Sequence, residues 1–318
     1  MKSIREADFS PQMKVLVRAD LDVPLSNSTI EDTFRLDHVL PTLEFIVESG
    51  GFPIIMGHLG RPGGEYKEEL SSKHLAPYFD KHLGEGKYEL LENLRFDPRE
   101  RQNDQDFAKE LASKADIYVN EAFSNSHREH ASMVGVPLLL PSYMGLHLKK
   151  EIEALEGVLN APKHPFAVII GGAKMETKRP VVDKFLEIAD AVLVGGKIGL
   201  DWQGTKPENL YLPVDYVDDK DIGEKTVEGY SEIIQNAKTI VWSGPLGMFE
   251  DERYEGGTRS ILDAVLSSSA NTIVGGGDTI AALNQFGKLK EISFVSTGGG
   301  AMLEFLVKGT LPALKALN

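Results

Sequence analysis

FAVIIGGAKMETK, residues 166–178, is the stretch on which the fold turns. FAVII is apolar at every position, with no polar residue alternating. A strand that meets water on neither face reads this way, and such strands belong to parallel sheets covered on both sides. The Gly171–Gly172 pair then lets the backbone turn and approach a ligand. Lys174 and Lys178 follow at a spacing of four, so they share one face if a helix begins there. The logic is that of phosphate binding. The segment nevertheless lacks the GxxxxGK[ST] of a Walker A loop and the GxGxxG of a dinucleotide fingerprint.

The alternation extends both ways along the chain. Upstream, KVLVRA (14–19), PIIM (53–56), YELL (88–91) and IYV (117–119) read as strands. Downstream, AVLV (191–194), YLP (211–213), TIVW (239–242), TIV (272–274) and ISFVS (292–296) do the same. Helical patterns fall between most of them. Leu36, Val39, Leu40, Leu43, Ile46 and Val47 form one face of a helix in which Pro41 marks a bend. LKKEIEALEGVL predicts a helix near 147–159, ended by Asn160-Ala161-Pro162-Lys163, where we place the boundary between two α/β halves. The apolar tail 305–318 is expected to be ordered.

Composition sets the outer limits. The 318 residues carry 48 acidic and 34 basic side chains, a formal charge of −14, so the surface as a whole should repel nucleic acid and anionic membrane. No cysteine is present, which removes disulfides, thiolate nucleophiles and cysteine metal sites. No apolar run approaches a membrane span, and the charged N-terminus lacks a signal peptide's apolar region. A cytoplasmic protein is the default expectation. The distribution of residues is uneven. All eight histidines lie between His38 and His164, and eight of eleven arginines lie at or before Arg128. Glycine pairs and triplets cluster in the other half. One half therefore looks built to hold an anion with side chains, the other to hold phosphates with backbone.

In the first half, VRADLDVP (17–24) puts Arg18, Asp20 and Asp22 on one side of an extended segment. Charges at the C-terminal end of a sheet strand sit where ligands bind in open α/β folds; a surface ion pair would give the same pattern. His58 and Arg61 in GHLGRP follow another strand, as do Arg95 in NLRF and His127-Arg128. With Arg35, five arginines stand near strand ends, and guanidinium forks suit carboxylate and phosphate. In the second half, VGGGDT (274–279) and STGGGAMLE (296–304) follow strands. Their glycines can expose amides to phosphate at a helix N-terminus, and Asp278 can hold Mg²⁺ through hard oxygen ligands. Tight strand-to-helix turns are the bland alternative. In WSGPLGMFE (242–250), Pro245, Leu246 and Met248 could flank an adenine ring while Glu250 reaches a ribose hydroxyl.

Taken in order, VRADLDVP, GHLGRP, LLENLRF, VNEAFSNSHREHAS, GLHLKKEIEAL, GGAK with Lys178, LPVD, DIGEKT, WSGPLGMFE, GGGDT and STGGGAMLEFL resemble the phosphoglycerate kinase family nearly end to end. The resemblance implies two doubly wound, Rossmann-like, three-layer αβα domains with mainly parallel sheets and a cleft between them. It implies a 3-phosphoglycerate domain over 1–146, an interdomain helix or hinge over 147–162, a nucleotide domain over 163–304 and a tail, 305–318, returning to the first domain. It implies reversible, direct in-line phosphoryl transfer, after domain closure, between MgATP and the carboxylate of 3-phosphoglycerate, giving ADP and 1,3-bisphosphoglycerate. Arg18, Asp20, Asp22, Arg35, His58, Arg61, Arg95, His127 and Arg128 fall on the acceptor side. Lys174, Lys178, Gly195, Gly196, Ser243, Pro245, Met248, Glu250, Gly275, Gly276, Gly277, Asp278, Thr279, Gly298 and Gly299 fall on the nucleotide side. Of these, Arg35, Lys178, Gly277 and Gly299 are the implied catalytic set, and Asp278 holds Mg²⁺ through the nucleotide. A monomer acting on small molecules, with no nucleic acid or membrane partner, is expected.

The chain departs from the family pattern in places. Asp22 stands where the family has an amide, and a carboxylate accepts hydrogen bonds without donating. Ser243 stands for an asparagine. Glu121 and Ser124 stand for an aspartate and a glycine. The segments after Lys197 and between Val217 and Asp221 are shorter than the family's, and both wall its adenine pocket. Two alternatives stay open: a kinase for another carboxylate or phosphate acceptor, which Asp22 would face, and a non-catalytic binder of nucleotide or phosphoglycerate.

Overall fold

The computed structural model describes residues 1–317. The chain divides into two compact units, Met1–Glu153 joined by the residues from Thr310 on, and Ala154–Gly309. The division falls inside the helix Leu146–Asn160, within the 147–162 span given to the interdomain helix and ahead of the 160–163 segment that ends it. The tail was drawn from 305; the part that clusters with the first unit begins at Thr310, where the Ala313 amide donates to the Ser126 carbonyl at 3.1 Å.

The first unit is built on a five-stranded parallel sheet. From edge to edge its order is Glu89–Leu90, Phe52–Met56, Lys14–Ala19, Ile117–Glu121 and Ser142–Met144. Lys14–Ala19 is buried at every position after Lys14 and Ile117–Glu121 throughout, as strands covered on both faces must be. Val15, Val17, Val119 and Ile55 meet Leu36, Val39, Leu43 and Ile46 of the helix Phe34–Glu48 in one core. That helix runs unbroken through Pro41.

The second unit carries a six-stranded parallel sheet: Leu210–Tyr211, Ala191–Val194, Phe166–Ile170, Thr239–Ser243, Asn271–Gly275, Phe294–Ser296. Its core joins Ile169, Leu193, Ile240, Trp242 and Val274 to helix residues such as Ile234, Ile261 and Leu283. Numbered along the chain, both sheets run 3-2-1-4-5, and the second adds a sixth strand. This is the doubly wound order, which reverses direction between its first and fourth strands, and ligands bind beyond the strand ends at that point. In the first unit Asp20 and Ser124 follow those strands. In the second, Gly171 and Gly244 follow them. No helix among the described residues is long and apolar enough to cross a membrane.

Candidate active site

At the switch point of the first unit the strand ends and the loops after them bring buried cations together. Arg18 is fully buried. Its Nε donates to Ser132 Oγ at 2.9 Å, and its Nη2 lies 3.1 Å from His58 Nδ1. That nitrogen must then accept, leaving His58 Nε2 to carry the proton that faces Asp22 at 3.6 Å. A neutral imidazole satisfies both neighbours. Burial, with Arg18 and Arg95 nearby, accordingly lowers the ring's pKa to about 4 against the pull of Asp22. Arg95 is 8% exposed; one Nη donates to the Gly60 carbonyl at 2.8 Å, while its Nε is buried without a partner. Burial and the charges of Arg128 and Arg18 lower its pKa to about 10. His130 feels the same field; burial and then Arg18, Arg95 and Arg128 lower it to about 3. Crowded guanidinium groups with an orphaned buried donor have the charge and the donors that suit an anion.

The carboxylates are ordered around this cluster. Asp20 accepts from Arg35 Nη1 at 3.0 Å and from Ser124 Oγ at 2.6 Å. Arg35 keeps about a third of its side chain exposed, and although burial opposes it, Asp20 and Asp22 raise its pKa. Asp22 accepts the Gly60 amide at 2.8 Å. Burial would raise its carboxyl, but His58, the Gly60 amide and Arg35 hold it well below the usual carboxylate range. The charge at Asp22 therefore sits beside the cation cluster, paired to His58 and to backbone.

Arg18, His58, Arg95 and Arg128 are thus brought within one field, with Asp20, Asp22 and Arg35 alongside. Arg61 stands exposed in the loop after Phe52–Met56 and makes no hydrogen bond or ion pair among the described residues. His127 is half-buried in the turn before Arg128. The sequence reading missed His130, Ser132 and Glu100. Ser132 Oγ donates to buried Glu100 at 2.6 Å and so ties Arg18 to a buried carboxylate. His130 lay in the quoted HREH, three residues after His127, and that spacing was its available signal.

In the second unit the two switch-point loops cross in contact. A Cβ on Gly171 would stand 2.0 Å from the Pro245 carbonyl, and one on Gly244 would stand 2.1 Å from the Gly171 carbonyl. The glycines are there for packing. Their amides confirm it: Gly171 donates to Ser243, Gly172 to Pro245, Gly195 to Ile170 and Gly196 to Leu246. The amides of these two doublets are thus already engaged in bonds between loops. The first amides of the helix Gly277–Gln285, in the VGGGDT segment, have no partner within the helix. Gly299 abuts that turn, with no room for a Cβ against Gly276. Lys178 Nζ donates to Ser243 Oγ at 2.8 Å, and burial lowers its pKa to about 8 against the pull of Asp278. Lys174 is exposed just ahead of its helix.

A cavity of about 440 Å³ brings together Gly172, Gly196, Pro245, Met248, Glu250 and Asp278. Leu200, Asp218, Asp219 and Lys220 also line it; they lie in the two shortened segments, after Lys197 and between Val217 and Asp221, though no single residue there was named. Asp218 and Asp219 form the tip of a tight hairpin, both with positive φ, where Tyr216–Val217 pairs with Asp221–Ile222. Two residues of the nucleotide-side motifs turn their side chains inward. Thr279 is fully buried, accepting the Gly244 amide at 2.7 Å and donating to the Gly275 carbonyl, so it braces the loops. Leu246 belongs to the core and fills the space at Gly195. Gly298 donates to Ser296 Oγ, and a Cβ on Gly275 would meet Met302. The carboxylate of Asp278, in the first turn of its helix and on the cavity wall, has the oxygen chemistry a nucleotide-borne Mg²⁺ takes.

Comparison with known proteins bears on both units. The phosphoglycerate kinase family model matches residues 4–207 and 203–309. Its two pieces meet in this chain at 203–207, an exposed stretch leading into the strand Leu210–Tyr211. The phosphoglycerate kinase of Leptospira biflexa is 38% identical over 379 residues, covering 96% of this chain and 95% of that protein. The alignment is longer than this chain, so that relative carries segments missing here. The phosphoglycerate kinase of Roseiflexus castenholzii is 36% identical, covering 100% and 99%. Among solved structures, phosphoglycerate kinase from Coxiella burnetii superposes with a TM-score of 0.88 at 32% identity, covering 99% of this chain and 98% of that one. That from Pyrococcus horikoshii does so at 0.84 and 30%, covering 100% and 98%. With match, identity and fold in agreement over nearly its whole length, the chain belongs to the phosphoglycerate kinase family.

Proposed function

We propose that the chain transfers a phosphoryl group reversibly between MgATP and the carboxylate of 3-phosphoglycerate. The observation that carries this is the crowding of Arg18, Arg95 and Arg128 in one field, with the orphaned Arg95 Nε. A small dianion such as a phosphate monoester would satisfy it. A carboxylate oxygen of the acceptor attacks the γ-phosphorus in line. The bond to the bridging oxygen breaks, and the electron pair leaves with ADP. No protein nucleophile is needed, so catalysis rests on positioning and on neutralising equatorial oxygens, after domain closure. Arg35 supplies charge from the acceptor side, Lys178 from the nucleotide side, and the amides at Gly277 and Asp278 hold the nucleotide phosphates.

The test is ADP release from MgATP, with and without 3-phosphoglycerate, in an assay that consumes the acyl phosphate formed. Turnover should require 3-phosphoglycerate and fall at least about a hundredfold in Arg35→Ala. ADP release independent of 3-phosphoglycerate, or none from folded protein, would sink the proposal. One observation favours a second reading, a kinase for a different acceptor. Asp22 places a carboxylate beside the cations, which disfavours a highly charged ligand. Turnover that appears only with a less charged carboxylate would select it.

A further inference from the structure

Lys178 and Ser243 hold each other at the phosphate end of the second unit. The Lys178 ammonium is half-buried and donates to Ser243 Oγ at 2.8 Å and toward the Ser243 carbonyl at 3.3 Å. Ser243 is the last residue of Thr239–Ser243 and is buried. Its hydroxyl borders the turn that opens the helix Gly277–Gln285: a Cβ added to Gly276 would stand 3.3 Å away. No carboxylate lies within ion-pair distance of Lys178 among the described residues, and Asp278 is the opposite charge that faces it. A partly buried ammonium ordinarily takes a carboxylate partner. Here it rests on two neutral oxygens of one serine.

We infer that Ser243 is the positioning residue for Lys178. Its hydroxyl parks the ammonium beside the phosphate-binding turn and releases it when a phosphate arrives. A hydroxyl has one donor and two acceptor lone pairs. Oγ accepts from Lys178 while its own hydrogen is free to turn toward a phosphate oxygen. The ammonium then passes to that oxygen by side-chain rotation, with no bond made or broken. A carboxylate in this place would hold the lysine too firmly and would repel the phosphate; an apolar side chain would leave the ammonium only the longer contact to the residue 243 carbonyl. The kinetic part rests on the phosphoryl-transfer reading. The pairing itself does not.

The experiment follows Lys178 directly. Acylation of its amine by a water-soluble active ester is measured against pH in the full chain without nucleotide, by peptide mass spectrometry. The variants are Ser243→Ala and Ser243→Thr, and steady-state kinetics are run in parallel. Losing an acceptor bonded to the charged form should lower the midpoint for Lys178 in Ser243→Ala by about one pH unit, and Ser243→Thr should restore it. In turnover, Ser243→Ala should lower kcat about tenfold with KM for ATP changed less than about threefold, and Ser243→Thr should recover most of the loss. An unchanged midpoint in a folded Ser243→Ala protein overturns the inference. A shifted midpoint in a chain that shows no turnover even as wild type upholds the positioning role and rejects the kinase reading.

Discussion

At the scale of single residues, the arginine cluster of the first unit carries a cost in stability. Arg95 is buried among like charges, with one donor unmet. Replacing a buried, under-paired charge by an apolar side chain of similar length is often stabilising. Arg95→Met should therefore raise the stability of the free protein by about 1 kcal/mol. It should also raise KM for the acceptor about tenfold or more. Urea denaturation beside steady-state kinetics checks both, and a destabilised variant with an unchanged KM would contradict the reading. Lys178 makes a second case through pH. Its pKa in the folded chain, about 8, lies below the ordinary 10.5. Between these values the unfolded chain binds more protons, so this group's contribution to stability rises with pH. The ammonium is lost over the same window, so kcat/KM for ATP should fall as pH passes 8. Activity that falls while the urea midpoint holds is the expected signature; activity and midpoint falling together would mean alkaline unfolding instead. Residue identity alone did not say which side chains face a ligand. Thr279 and Leu246 lie in the right motifs yet point into the protein. A one-dimensional pattern records which residues share a turn, while packing decides which of them is outside.

At the scale of elements, the long strands were legible because burial on both faces leaves an unbroken apolar run. Lys14–Ala19, Phe166–Ile170 and Ala191–Val194 fall where the sequence put them. The strand Ser142–Met144 and the hairpins Leu25–Ser26/Thr29–Ile30 and Tyr216–Val217/Asp221–Ile222 did not announce themselves. Two or three residues are too few to show a period, and only the partner strand defines them. The start of the helix Leu146–Asn160 was also invisible as a capped end, because its cap comes from another element. Glu121, at the end of its strand, accepts the His147 and Leu148 amides at 2.8 and 3.0 Å and the Thr42 hydroxyl at 2.6 Å. Gly145 leaves room for it: a Cβ there would overlap the carboxylate. Glu121→Ala strands two helix amides and a hydroxyl, and should cost about 2–4 kcal/mol in urea denaturation. Glu121→Gln keeps one acceptor oxygen and should cost roughly half as much. Equal and small losses in both would show that water replaces the carboxylate without penalty.

At the scale of the whole molecule, the asymmetry between the halves was the most informative feature of the sequence, and the structure gives it a physical content. Histidine and arginine crowd one unit, where Arg18, Arg95 and Arg128 share one field with His58 and His130. The glycine doublets of the other unit let loops cross in contact, and amides without a partner in their helix stand at the start of Gly277–Gln285. Each unit closes its own apolar core around its own sheet. A ligand that binds one unit should accordingly stabilise that unit by linkage, by about 2.7 kcal/mol at a hundred times its dissociation constant. Amide hydrogen exchange separates the two effects. With 3-phosphoglycerate alone, protection should rise around Arg18–Asp22, His58–Gly60 and Arg95. With MgADP alone, it should rise around Lys178 and Gly276–Thr279. The hairpin at Asp218–Asp219 decides how the shortened second unit copes. It lines the cavity beside Leu200 and Met248. If it walls the site of the base, MgADP should protect it as strongly as the Gly276 turn. Protection at Gly276–Thr279 without any at 216–222 would mean that the phosphates are held and the base is not.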